Sequence, residues 1–232
     1  MIATPRFVFL HLHKSGGTFV NECLLRHVPQ AQRLGYHLPR RLIPHDYAHL
    51  PVLGFVRSPW SYYVSWYAFQ SGRQVPNPVY RTASDAGRLG FADTIRNLLT
   101  LGSRSPLLDS LLAALPTSYT NRGLNLPACA LADIRGSEQG FYSYLHDYMF
   151  GGGDDDTLRI GRMEHLRAEL LAMLRHVGQP IDAAFEATIL QAAPVNTSPH
   201  AEYMDYYDDA LRDLVASHDH AVIERYRYRF GE

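Results

Sequence analysis

Lys14, Ser15, Gly16, Gly17 and Thr18 place a cation, two hydroxyls and two glycines side by side, one residue after the apolar run Phe7–Leu12. A helix-compatible segment, Thr18–His27, follows at once. A strand that empties through glycines into a helix N-terminus points several free backbone N–H groups and the positive end of the helix dipole at one spot. The glycines let the main chain come close, and the lysine adds a point charge. The chemistry this implies is the grip of a phosphate or sulfate group. A Walker A loop needs a glycine well before its lysine, and here His13 precedes Lys14.

A second cationic element begins at Arg57. The run Pro51–Val56 has the composition of a buried strand, and Arg57-Ser58-Pro59 comes directly after it. Serine suits a helix cap and proline the first helical position, so a helix should start there. Arg57 then stands at the strand's carboxyl end and Ser65 about two turns into the helix.

The elements that must position these residues follow from the apolar pattern. Phe7–Leu12, Pro51–Val56 and the weaker Thr157–Gly161 lack strict alternation, as strands buried on both faces do. Met163, Leu166, Leu170, Leu171, Leu174 and Val177 keep helical spacing, with Gly178 as the stop and Pro180 beyond. The closing segment repeats that spacing through Leu211, Leu214, Val215, Val222, Ile223 and Tyr226. Strands alternating with helices predict an α/β domain of three layers, α/β/α, around a central parallel sheet, with the ligand crevice at the carboxyl ends of the strands. Between about residues 71 and 156 the periodicity weakens, and only Phe91–Leu101 and Leu107–Leu115 read as helices. That stretch is expected to be a mainly helical insertion in a single domain spanning 1–232, placed where an acceptor enters.

At 232 residues the chain suffices for one sizeable α/β domain. A net charge of −1 gives no global field to draw in nucleic acid or an anionic membrane, so a polyanion must be held by local groups. Cys23 and Cys129 are too few for a disulfide framework and fit a reducing compartment. No basic stretch leads into a long apolar run and no window is apolar enough to span a bilayer, so a bacterial cytoplasmic protein, or a domain of something larger, is expected. Gly151–Asp156 reads as a solvated acidic turn, because it lacks the ligand spacing and closing glutamate of a calcium loop.

The two cationic elements, in this order and each after its own strand, resemble the PAPS-dependent sulfotransferases, closest to the branch that acts on sugars in animals and on various acceptors in bacteria. Lys14–Thr18 matches that family's 5′-phosphosulfate loop. Arg57 and Ser65 match the arginine and serine of its 3′-phosphate element, with Ser58 in place of the more usual Asp or Asn. Ile160–Leu166 resembles the family's late strand-to-helix passage near the adenine, and Val195-Asn196-Thr197-Ser198 its C-terminal pattern. The resemblance covers residues 1–70 and 157–232. It implies a P-loop-NTPase-like fold and transfer of the sulfuryl group of PAPS to an acceptor hydroxyl, or less often an amine, leaving PAP. The acceptor would be a carbohydrate or small metabolite. On this resemblance Lys14 would stabilise the leaving phosphate, and Ser15, Gly16, Gly17 and Thr18 would hold the 5′-phosphate. Phe19 would lie against adenine, and Arg57 and Ser65 would bind the 3′-phosphate. No metal is required, because the transferred group carries a single negative charge.

A base must take the acceptor's proton. His37, in Leu34–Leu38, falls where the sheet's second strand should end beside the first loop, and relatives carry a histidine or glutamate in that interval. It is the candidate, with His45, His49 and Asp46 as alternatives. His11 and His13 lie on one side of the first strand, where a His-x-His metal site competes with a loop-supporting hydrogen bond, the preferred reading. The Phe141–Tyr148 cluster is either a stacking wall for the acceptor or, the preferred reading, core packing; Arg122 and Arg135 could meet an anionic acceptor, and His218 and His220 should face solvent. Two other functions stay open. A nucleotide-dependent kinase would need the missing Walker glycine and an acid where Arg57 stands. A non-catalytic PAP-binding module would need only the grip.

Overall fold

The computed structural model describes residues 1–121, 123–151, 156–193 and 201–232. In chain order the elements are β1 (Ile2–Ala3), β2 (Val8–Leu10), α1 (Gly17–His27), β3 (Gln32–Arg33), β4 (Val52–Val56), α2 (Pro59–Ser71), α3 (Pro78–Ala83), α4 (Phe91–Leu99), α5 (Ser105–Ala114), α6 (Ala128–Leu131), α7 (Phe141–Phe150), β5 (Leu158–Arg162), α8 (Leu166–His176), α9 (Ala183–Gln191), α10 (Asp209–His218) and α11 (His220–Tyr226). They form two compact units, Met1–Arg57 with Asp147–Thr197 and Ser58–His146 with Ser198–Glu232.

The first unit is α/β. Its five-stranded sheet has the order β3-β1-β2-β4-β5. The expected parallel sheet is parallel only across β2, β4 and β5, with Leu10 opposite Gly54 and Val56 opposite Arg162. β1 runs antiparallel to both β2 and β3, so the sheet is mixed. The cause is a tight turn at Thr4. Its side-chain oxygen accepts from the N–H groups of Arg6 and Phe7, and its own N–H donates to the Phe7 carbonyl at 3.0 Å. A chain turned back after two residues can only pair as a hairpin.

Phe7, Phe9, Leu53 and Phe55 pack with α1, α8 and α9 through Phe19, Val20, Leu24, Leu170, Leu174, Phe185 and Ile189. Val8, Leu10, Val52 and Val56, which alternate with these along the strands, are buried as well, which is why β2 and β4 read as unbroken apolar runs. Gly54 makes room on that face for the Phe150 ring, which a Cβ would meet at 2.4 Å. The α8 spacing ends as its sequence requires, with Gly178 at φ +67° just beyond the helix.

The second unit is helical. It is not confined to the 71–156 stretch, because α2 packs with α3 and α4 there, α10 packs with α2 and α4, and α11 packs with α10. At its centre the fully buried Asp219 accepts from the Tyr63 hydroxyl and from the Ser143 N–H, both at 2.8 Å, and Tyr63 in turn accepts from the Tyr142 N–H at 3.1 Å. Burial raises the Asp219 carboxyl above the usual carboxylate range. Phe141 and Tyr142 are core residues, Tyr142 stacked on Tyr62 at 4.0 Å, and His146 bonds the Tyr226 hydroxyl at 2.8 Å. Arg135 pairs with Asp109 on the surface, and His218 reaches the Glu138 carbonyl. Arg122, Val195-Asn196-Thr197-Ser198 and most of the acidic turn at 151–156 lie outside the described residues. Among the described residues, no helix is long and apolar enough to cross a membrane.

Candidate anion-binding site

The parallel strands β2 and β4 deliver two loops to the same edge of the first unit. After β2 the chain turns sharply, with Lys14 at φ +59° and Gly16, the residue before α1, at φ +75°. Gly16 adopts that conformation without cost, and the space beside it is occupied: a Cβ would come 2.2 Å from Leu166 Cδ1. A lysine there is strained by roughly 1–3 kcal/mol, a cost met at sites where the backbone must be aimed. Ser15 is buried and its hydroxyl donates to the His13 carbonyl at 3.4 Å. Thr18 opens the first turn of α1 beside Gly17.

Arg57, just past β4, donates through Nη1 to the Lys14 carbonyl at 3.3 Å. The two cationic residues are therefore neighbours. Burial, and then the nearby Arg57 charge, push the Lys14 ammonium down from 10.5 to about 8. Arg162 ends β5 in register with Val56, so a third basic residue stands at the carboxyl edge of the parallel strands. An edge of this kind, joined to the N-terminus of α1, favours a ligand with more than one negative charge.

His37 also reaches this loop. Its backbone is left-handed, φ +47°, its ring stacks on His13 at 3.7 Å, and its Nδ1 lies 2.8 Å from the His11 carbonyl. A carbonyl only accepts, so Nδ1 carries the proton and Nε2 keeps its lone pair. Burial lowers the His37 imidazole to about 4, which leaves it neutral at ordinary pH. That tautomer has the form a general base needs. His45, Asp46 and His49 are instead exposed.

Two further predicted residues, Phe19 and Ser65, are both buried. Phe19 is 7% exposed within the core, with the Arg167 guanidinium over its ring at 5.0 Å. Ser65 belongs to the second unit, where it is buried in α2.

Comparison with protein-family models and with curated proteins finds no match.

Local pattern alone did not reveal the histidine stack. His11 and His13 are both 8% exposed, and the His37 ring lies 4.3 Å from His11 as well as against His13. The alternation of His11 and His13 was a partial signal; the arrival of His37 across 26 residues was not encoded in any local spacing. Among the described residues, no group of three or more His, Cys, Asp or Glu side chains could hold a metal ion. Asn21 is a further residue at this loop, and no local motif marks it in the sequence. Four positions beyond Gly17, it shares that residue's side of α1, and its amide Nδ2 donates to His11 Nδ1 at 3.2 Å.

Proposed function

We propose that the chain is a sulfotransferase, moving the sulfuryl group of PAPS to a hydroxyl, or an amine, of a carbohydrate or small metabolite. The observation that carries this reading is the adjacency of Lys14 and Arg57 at the ends of neighbouring parallel strands, over a glycine turn at the N-terminus of α1. On this reading the α/β unit is of the P-loop-NTPase-like kind. The loop N–H groups, Thr18 and Lys14 hold the 5′-phosphosulfate, and Arg57 reads the 3′-phosphate.

The acceptor hydroxyl gives its proton to His37 Nε2 as its oxygen attacks sulfur. The bond from sulfur to the bridging oxygen breaks, and PAP leaves with its new charge against Lys14. An in-line displacement asks the protein mainly for positioning and charge stabilisation. A base lowered to about 4 is weak in the empty site, but an anion brought to the loop favours imidazolium and raises it.

Calorimetry with PAP, ADP and ATP tests the nucleotide, and transfer of label from PAPS to a panel of sugars and small alcohols tests the reaction. Strong preference for PAP with measurable transfer is expected. Preference for ATP would point to phosphoryl transfer, and PAP binding without transfer to any acceptor would point to a binding module.

A further inference from the structure

We infer that His11 is a further ligand-binding residue of this site: a neutral imidazole whose Nε2–H donates to the anion in the loop, with its tautomer set by Asn21. The inference rests on the anion-binding reading above and adds a donor that neither the loop motif nor the base assignment includes.

The argument starts at Asn21, which is 5% exposed. Its Nδ2 carries hydrogens and can only donate, so the His11 Nδ1 it meets at 3.2 Å is the acceptor and bears the lone pair. Burial, and then the neighbouring His37, hold the His11 imidazole well below 6.5, so the ring is neutral and its one proton resides on Nε2. The position of that nitrogen is fixed by Gly17. A Cβ on Gly17 would stand 2.0 Å from His11 Cδ2 and 2.5 Å from Nε2. The Cδ2–Nε2 edge therefore lies over the first residue of α1, beside the N–H groups that face the anion. Glycine is required there because the imidazole occupies the space of a side chain. A neutral donor suits a place already crowded by Lys14 and Arg57, since it adds a hydrogen bond without a third repelling charge.

The test uses the full chain with PAP and, separately, inorganic phosphate as probes. His11→Gln keeps an N–H donor near the Nε2 position, whereas His11→Phe fills the ring's volume without one. PAP affinity is expected to fall on the order of tenfold in His11→Phe and to stay within about threefold in His11→Gln. Equal affinity in all three proteins overturns the inference while leaving the proposed function standing; failure of the wild type to bind either probe overturns the proposed function as well. A second measurement does not depend on the folding of these variants. In 15N-histidine spectra of the ligand-free protein, His11 should show a protonated Nε2 and a bare Nδ1, and Asn21→Ala should mix the two tautomers. A protonated Nδ1 on wild-type His11 overturns the inference whatever the affinities show.

Discussion

Binding of PAP should draw a proton onto Lys14, and the amount follows from the geometry of the loop. In the free protein, burial and Arg57 hold the ammonium at about 8, against an ordinary 10.5. A phosphate beside it restores the ordinary value, because opposite charge favours the cation. A cation more basic in the complex than in the free protein takes up a proton on binding, so affinity must weaken as pH rises through the window from about 8 to 10.5. At pH 7 about a tenth of free Lys14 is neutral and the uptake is about 0.1 proton; at pH 9 about nine tenths is neutral and the uptake is about 0.9. The same populations give a fall in PAP affinity of about 30-fold between pH 7 and 9.5. Calorimetry at pH 7 and 9, each in two buffers of different protonation enthalpy, reads the uptake directly. Lys14→Met should abolish the uptake at pH 9 and flatten the affinity profile. An uptake near zero at pH 9, or one that survives in Lys14→Met, refutes the placement of the ammonium against the bound anion.

The remaining expectations concern the base and the packing. In the transfer assay, kcat/KM for PAPS, which reports the free enzyme, should lose activity only as pH falls through about 4, where His37 gains its proton, whereas the acid limb of kcat should lie higher; an acid limb of kcat/KM for PAPS at 6.5 would reassign the base. His37→Ala should lower turnover about 100-fold or more while PAP affinity holds. Gly17→Ala drives a Cβ to 2.0 Å from the His11 ring and should cost about 1–3 kcal/mol in urea unfolding, with PAP affinity falling too; an unchanged midpoint would mean that the ring can move aside. Asp219→Asn turns an amide N–H toward a group that donates, either the Tyr63 hydroxyl or the Ser143 N–H, and should cost about 1–3 kcal/mol. Since the native Asp219 pKa is raised, the folded protein holds more protons than the unfolded chain just above 3.8, and this group's contribution to stability declines as pH rises through that window. Urea midpoints from pH 4 to 7 should show that decline in the wild type and a flatter profile in Asp219→Asn.

The parts of the fold that could be read in advance are those with long apolar signals. β2, β4 and α8 carry enough buried side chains in sequence to declare their period, and Gly178 follows the last residue of α8 by two positions. β1 and β3 are two residues each, and β3 is exposed, so neither has a period to detect. Without them the antiparallel edge could not be anticipated. The loop was legible because its chemistry is local: lysine, glycines and a helix start within a few residues. The histidine stack and the Asp219 cluster were not, since each depends on partners brought together by tertiary structure. His37 was picked out by its position relative to the strands, whereas the rings that hold it came from packing. Phe19, an aromatic at a familiar place in a motif, is buried with the interior, which its local spacing alone does not declare.

The bond from Arg57 to the Lys14 carbonyl ties the two ends of the grip into one mechanical piece. On the proposed reading, a ligand that recruits this guanidinium would compete with a tether, so occupancy at one end of the nucleotide would be felt as freedom or stiffness at the other. Arg57→Lys would keep the charge but lose the planar fork, and Arg57→Leu would lose both. Where the two variants diverge, the difference measures how far the arginine serves as a brace for its neighbour and how far as a counter-ion for its guest.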